Sequence, residues 1–354
     1  MIIIFVVLFA IALVFAEKYW AVPVMKRLTT RCRCSKVLLE PGETFALECE
    51  TRNEGKLPAM FVRVNMYLPQ GASVTEAADG HVVDSGYSNS LVEMKFSLRG
   101  RSKVRRNINM SVGARGVYHV GKLQLGVGDL LGLNENSVFC GDETKIVVMP
   151  EMCRDEQVHK VVGGFIGDIS VRRFIMEDPI LTRGFRDYTG HEPFRDVSWV
   201  RTAVSGKLMV KEYDHTSDVN VMILLNLDTS DDEEIERCYS LTRTVCHALE
   251  KANIEYGLRT NGGLFGPVGY TEWFPQGLGE RHYDTIMYSL GNARKVAYYS
   301  FDTLIEKTIK KQRNNENYIV IVPRAKAENA RSIRKLEMKT GNRVCLLNAS
   351  KEAT

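Results

Sequence analysis

The residues best placed to do chemistry stand where an apolar run ends. Residues 218–227 read DVNVMILLNL, and Asp228, Thr229, Ser230, Asp231 and Asp232 follow at once. A carboxylate and hydroxyls at the carboxyl end of a buried strand are hard oxygen donors of the kind that gather Mg²⁺, leaving one position for a partner's carboxylate. In that use Asp228 and Ser230 ligate the metal directly, Asp232 stands in for a second hydroxyl, and Mg²⁺ would be the cofactor. The same atoms have another use. Ser230-Asp231-Asp232-Glu233 has the spacing of a capping box, with Ser230 as N-cap and Glu233 reaching back, and acids in a first helical turn complement the helix dipole. The residues by themselves leave both uses open.

Ahead of this run, Arg183, Arg186, Arg195, Trp199, Arg201 and Lys207 offer a recognition surface, since an exposed Trp flanked by Arg is a common interface anchor. Tyr188, Arg195, Trp199 and Arg201 are the expected contact residues. The alternative is a buried Trp199 wedged between domains, with the arginines paired to Asp187 and Asp196. Residues 262–269, GGLFGPVG, lack phosphate-loop and dinucleotide spacing and have no following Lys-Ser/Thr, so they read as a flexible loop after a strand. No Gly-x-Ser-x-Gly or His-Glu-x-x-His occurs, and none of the seven His has a nucleophile partner visible in sequence. Enzymatic activity is therefore left open, with a binding role preferred.

Two kinds of element must position these residues. Residues 218–227 are apolar almost throughout, as a strand buried on both faces of a parallel sheet requires. A charged amphipathic helix follows, with Ile235, Tyr239, Thr242, Val245, Cys246 and Leu249 at three- and four-residue intervals. Strands at 254–259, 296–299, 318–322 and 343–347 then alternate with helices at 279–290, 301–311 and 325–338, which gives a doubly wound α/β sheet over residues 151–354. Residues 36–150 differ. Short alternating segments at 44–50, 60–68, 91–98, 105–112, 116–125 and 145–149 are separated by turn residues, which favours an Ig-like antiparallel β-sandwich. Lys103, Arg105, Arg106 and Arg115 add a basic patch there, read either as an anionic-lipid contact or as solvated outward positions.

Residues 1–16, MIIIFVVLFAIALVFA, carry no polar side chain, and Tyr19 and Trp20 follow as interfacial residues. Extended to residue 22, this is a single transmembrane helix. Cations after the run, including Lys18, Lys26, Arg27, Arg31, Arg33 and Lys36, place the N-terminus outside and the rest in the cytoplasm, with 23–35 as a basic juxtamembrane linker. Cleavage as a signal peptide and burial as a core helix are the competing readings; no Lys or Arg precedes the run, against the first, and nothing in it alternates with a solvated face, against the second. The 354-residue chain is otherwise ordinary, with 44% hydrophobic and 25% charged residues, which excludes wholesale disorder and coiled coil. A net charge of +4 is too small to imply nucleic acid, and eight Cys are too few for a disulfide scaffold. Cys32-Arg33-Cys34 lacks a second pair or a nearby His and reads as part of the linker.

The blocks Phe185-Arg186-Asp187-Tyr188-Thr189-Gly190, Phe194-Arg195-Asp196-Val197-Ser198-Trp199 and Lys207-Leu208-Met209-Val210-Lys211-Glu212-Tyr213, followed by the strand ending at Asp228-Thr229-Ser230, resemble the DUF58 family. The resemblance implies a membrane segment, a β-sandwich and a von Willebrand factor A-like domain. It also implies a MoxR-type AAA+ ATPase as partner in assembling or regulating protein complexes. The match departs from the family at His191, Ser198 and Val204, and the Asp-x-Ser-x-Ser metal motif of A domains here has Asp232 in place of its last hydroxyl. A membrane-anchored interaction protein is thus expected, with a metal-dependent hydrolase near Asp228 or a secreted binding protein as alternatives.

Overall fold

The structure, a computed structural model, describes residues 23–77, 80–84, 90–128, 135–175, 178–214, 220–267, 269–311 and 316–350. The chain divides into two compact units between Glu151 and Met152. The expected membrane span, residues 1–22, lies outside the described residues. Among the described residues no helix is long and apolar enough to cross a membrane.

The first unit is a β-sandwich. One sheet runs β1 (Leu28–Cys34), β3 (Thr44–Asn53), β8 (Lys103–Val112), β5 (Ala72–Ala77). The other runs β11 (Glu135–Cys140), β10 (Leu123–Gly128), β4 (Ala59–Tyr67), β7 (Ser90–Leu98), β6 (Gly80–Asp84), and both are antiparallel. A smaller sheet joins β2 (Leu38–Leu39), β12 (Thr144–Val148) and β9 (Gly116–Val120). Alternation makes the core: Phe45, Leu47 and Cys49 of β3 face inward against Val64, Met66, Ile108, Met110 and Leu123, while Glu48 and Glu50 face out. Burying each such Leu, Ile or Met contributes about 1.5–3 kcal/mol. The stretch 116–125, read above as one strand, breaks at Gly121. Its φ of +96° suits glycine, and a Cβ there would come within 2.8 Å of the Asp142 carbonyl oxygen.

Residues 23–35 are not a linker. Val24 and Leu28 are buried in the sandwich core, and β1 pairs with β3 from Leu28↔Asn53 to Cys34↔Leu47. The strand was hidden because its inward positions after Leu28 are Thr30 and Cys32, while Thr29, Arg31 and Arg33 point out. Thr30 shares a 3.2 Å hydrogen bond with Thr51, and Cys32 forms a disulfide with Cys49 directly opposite, Cα atoms 4.4 Å apart.

The second unit is α/β. Its main sheet has the order β17 (Gly269–Gly277), β16 (Glu255–Gly266), β15 (Asn220–Leu225), β18 (Glu316–Val322), β19 (Val344–Asn348), with only β17 antiparallel. Winding starts at β15, proceeds one way to β17, then returns to β18 and β19, so the switch of direction lies at the carboxyl end of β15. The helices are α1 (Glu156–Ile175), α2 (Trp199–Ser205), α3 (Asp232–Lys251), α4 (Glu280–Gly291), α5 (Phe301–Lys310) and α6 (Ala327–Thr340). A separate hairpin pairs β13 (Asp178–Asp187) with β14 (Met209–Asp214). Residues 296–299 are no strand: Ala297 makes one isolated bridge to Gly262, and Tyr298 N–H donates to the Asn261 carbonyl at 2.8 Å. On the edge strand β17, the Thr271 hydroxyl donates to the Trp273 carbonyl at 2.8 Å and accepts from Trp273 N–H at 3.2 Å, and Pro275 has no N–H.

Candidate functional site

At the carboxyl end of β15 the chain leaves the sheet under the control of two buried amides, Asn226 and Asn261, exposed by 2% and 0%. Asn226 N–H donates to the Ile321 carbonyl at 2.9 Å, extending the ladder to β18 by one residue. Asn261 Oδ1 accepts from Leu227 N–H at 2.8 Å, and its Nδ2 donates to Asn226 Oδ1 at 2.7 Å and to the Tyr299 carbonyl at 3.1 Å. Asn226 Oδ1 also accepts from Asp228 N–H at 3.0 Å. The N–H groups of Asn226, Leu227 and Asp228 and the Asn261 amide are thereby matched at a buried turn, which fixes where Asp228 emerges.

Asp228 and Ser230 are exposed. The N-cap of α3 is Asp231 rather than Ser230: Asp231 Oδ1 accepts from Glu233 N–H at 2.9 Å, so the helix begins one residue later than the capping-box spacing implies. Thr229 Oγ1 donates to Glu234 Oε2 at 2.8 Å, and Glu234, nearly fully buried, also holds Arg324. Lys295 Nζ lies 3.1 Å from Asp232 Oδ2 and 3.3 Å from Glu236 Oε1. Asp231, Asp232, Glu234, Glu236, Lys295 and Arg324 help line a cleft of about 680 Å³, whose lining does not include Asp228, Thr229 or Ser230.

That arrangement does not fit Mg²⁺. Among the described residues no group of three or more His, Cys, Asp or Glu side chains is arranged around a common point. Of the three sequence-expected ligands, Asp232 is engaged by the Lys295 ammonium. A metal would have to displace that ammonium and share the mouth with the Arg324 guanidinium, both unfavourable to a dication. Three acids of the cleft, Asp232, Glu234 and Glu236, already hold cations of this chain. The partners Lys295, Arg324, Asn226 and Asn261 were missed in the sequence; the one local signal was a lone Asn at the end of the apolar run.

The expected interaction residues assemble in part on the hairpin. Val197, 4% exposed, bridges Val210 on β14, and Thr202 Oγ1 accepts from Met209 N–H at 3.0 Å, which pins the inner side of α2. Its outer side is bare: Trp199, Val200 and Val204 are exposed by 64%, 76% and 78%, and Phe194 by 64%. Trp199 is thus exposed on its own unit rather than packed into that unit's core. Tyr188 stacks on Phe194 with centroids 5.7 Å apart, and Arg201 lies 5.1 Å over the Phe185 ring. Arg195 reaches Asp196 only at 3.8 Å. Glu192 orders the turn before α2, accepting from Thr189 Oγ1 at 2.8 Å and Thr189 N–H at 3.0 Å and pairing with Arg186. The Thr189 hydroxyl first, then the amide and guanidinium, hold its carboxyl down at about 2.

The glycine run is no flexible loop. Residues 262–266 belong to β16, and a Cβ on Gly262 or Gly263 would overlap the Leu227 side chain or the Tyr298 ring. Glycine is there for close packing around the same turn.

No protein-family model matches the chain. It is 22% identical over 230 residues to the uncharacterized protein YeaD of Bacillus subtilis, a match covering 64% of this chain and about half, 54%, of that protein. Among solved structures it is similar to a cohesin module from a Clostridium perfringens family 33 glycoside hydrolase at 8% identity, covering 34% of this chain and 96% of that one, with a TM-score of 0.26. A non-cellulosomal cohesin from Archaeoglobus fulgidus matches at 14% identity over 38% of this chain and 97% of that one, with a TM-score of 0.25. A CARDB domain from Pyrococcus furiosus matches at 16% identity over 34% and 86%, with a TM-score of 0.22.

Proposed function

We propose that the chain is a non-enzymatic, membrane-anchored interaction protein whose α/β unit, a von Willebrand factor A-like domain, docks a partner protein through the outer side of α2. The observation that carries this reading is the bare apolar surface of Trp199, Val200, Val204 and Phe194 on an otherwise pinned helix. Exposed large apolar groups clustered this way mark interfaces, and Trp is the residue type most often found as an energetic anchor. The strand order of the main sheet, with its reversal at β15, supports the A-like reading. Resemblance to the DUF58 family supplies the partner class, a MoxR-type AAA+ ATPase.

The test is co-purification of an ATPase with the tagged full chain from native membranes. Trp199→Ala should lower the recovered ATPase about thirtyfold, the usual cost of truncating an anchor being about 2 kcal/mol. Unchanged recovery refutes the docking surface. Asp228→Ala should leave recovery intact if α2 carries binding, and abolish it if the carboxyl end of β15 does.

One observation favours a second placement. The Cys32–Cys49 disulfide suits an oxidising compartment, so the units would face outside the cytoplasm in that reading. A reporter fused after Thr354 separates the two: activity only in the cytoplasm supports the inward placement.

A further inference from the structure

The sandwich end at which the chain enters is built from three stretches: residues 23–27 ahead of β1, the 54–58 loop between β3 and β4, and the 99–102 turn between β7 and β8. Asn53, 1% exposed, ties the two loops together, since its Nδ2 donates to the Leu57 carbonyl at 2.8 Å and the Arg99 carbonyl at 3.2 Å. Its Oδ1 accepts from Gly55 N–H at 2.9 Å. Arg101 N–H donates to the Gly55 carbonyl at 2.8 Å, Glu54 N–H to the Arg27 carbonyl at 2.9 Å, and a Cβ on Gly100 would overlap the Lys56 backbone. Arg101 itself is held at φ +56°, a conformation uncommon for a residue with a side chain and one that persists where surroundings impose it.

This ordered end is strongly basic. Lys26, Arg27, Lys56, Arg99 and Arg101 are all exposed, against the single carboxylate of Glu54. Among the described residues none of these five cations has a carboxylate partner. On β8, by contrast, Lys103 and Arg105 pair with Glu50. Arg27, Lys56 and Arg101 line a hollow of about 390 Å³ whose floor includes Val24, and Leu57 stands beside them 39% exposed. Unpaired guanidinium and ammonium groups around a concavity match a phosphate, and an exposed leucine at its rim matches an acyl boundary. The apolar residues 1–16 lie a few positions ahead of Pro23 in the sequence.

We infer that this end of the sandwich is a binding site for the phosphate headgroups of anionic phospholipids, seating the unit on the bilayer. The inference rests on the anchoring of residues 1–22 proposed above. Each cation near an anionic surface strengthens contact about fivefold, and the effect fades within a Debye length as salt rises.

Hydrogen exchange of the full chain tests it, reconstituted in vesicles of phosphatidylcholine alone or mixed with phosphatidylglycerol. Exchange at 54–58 and 99–102 should slow at least fivefold in the anionic vesicles, reverse at high salt, and stay fast in Lys56→Glu and in Arg101→Gly. The glycine variant removes the charge while easing the φ of +56°, so folding is preserved. Alkaline carbonate applied to the same vesicles reports on the anchor. Release of the chain removes the anchoring reading and the site with it, whereas retention with equal exchange in both lipids overturns the headgroup site alone. Equal slowing by inorganic phosphate without anionic lipid also overturns it, as a free-anion site.

Discussion

Replacing Asn261 by Ala should unlock the end of β15 while leaving every charge of the cleft in place. The change removes three hydrogen bonds, to Leu227 N–H, Asn226 Oδ1 and the Tyr299 carbonyl. Asn226 Oδ1 keeps Asp228 N–H, but Leu227 is 0% exposed, so its N–H is left without a partner or water. One orphaned buried donor costs about 1–3 kcal/mol, and loss of the amide pair with the small void adds about 1 kcal/mol, which brings the expected loss to about 3 kcal/mol. For a unit of this size that is a fall in melting temperature of about 6–12 °C. Asp228→Ala, at an exposed position, should change stability by no more than about 0.5 kcal/mol. Hydrogen exchange read by mass spectrometry across residues 220–230 reports the turn directly, and about 3 kcal/mol corresponds to roughly hundredfold faster exchange. Exchange and melting of Asn261→Ala indistinguishable from those of Asp228→Ala would refute the claim that buried amides, rather than surface ion pairs, hold this turn.

Two further outcomes follow from local features. The Cys32–Cys49 disulfide spans a sequence separation of 17, for which chain entropy gives about 3 kcal/mol; the Cys32→Ala/Cys49→Ala variant should lose about that much in denaturant titration of the sandwich, and a loss under about 1 kcal/mol would show β1 to be held by pairing alone. Glu192, its carboxyl held at about 2 against an ordinary 4.5, orders the turn before α2. Because its folded value is depressed, this contribution is whole above about pH 4.5 and is lost as pH falls toward 2. Exchange at Thr189, corrected for its intrinsic pH dependence, should therefore quicken on acidification in the parent chain and be fast and flat in Glu192→Gln.

Much of the fold was readable because burial leaves a pattern. β15 is apolar on both faces, and α3 repeats its buried Ile235, Tyr239, Thr242 and Val245 at helical spacing. β1 escaped because a threonine pair and a disulfide fill its inward positions, chemistry that depends on β3 some twenty residues later. α1 escaped because Gly163 and Gly164 interrupt it, although Val162, Phe165 and Ile169 are buried along one side. The cleft was legible only on one strand and one helix. Its cations Lys295 and Arg324 are 63 and 90 residues from Asp232 and Glu234, so no local spacing could reveal that one of the expected metal ligands, Asp232, already holds an ammonium. The glycine run looked mobile for a related reason: nothing near it in sequence announces the Tyr298 ring packed against it.

The Thr271 hydroxyl on β17 has a consequence for how copies or partners of this chain can meet. A strand laid along that edge would find the Trp273 N–H and carbonyl already engaged and no N–H at Pro275. At these two positions the main sheet offers an added strand no free donor, through one short side chain and one ring. Open-ended strand addition is disfavoured at this stretch of the flank, which leaves side-chain recognition, selective and reversible, as the favoured mode of association there.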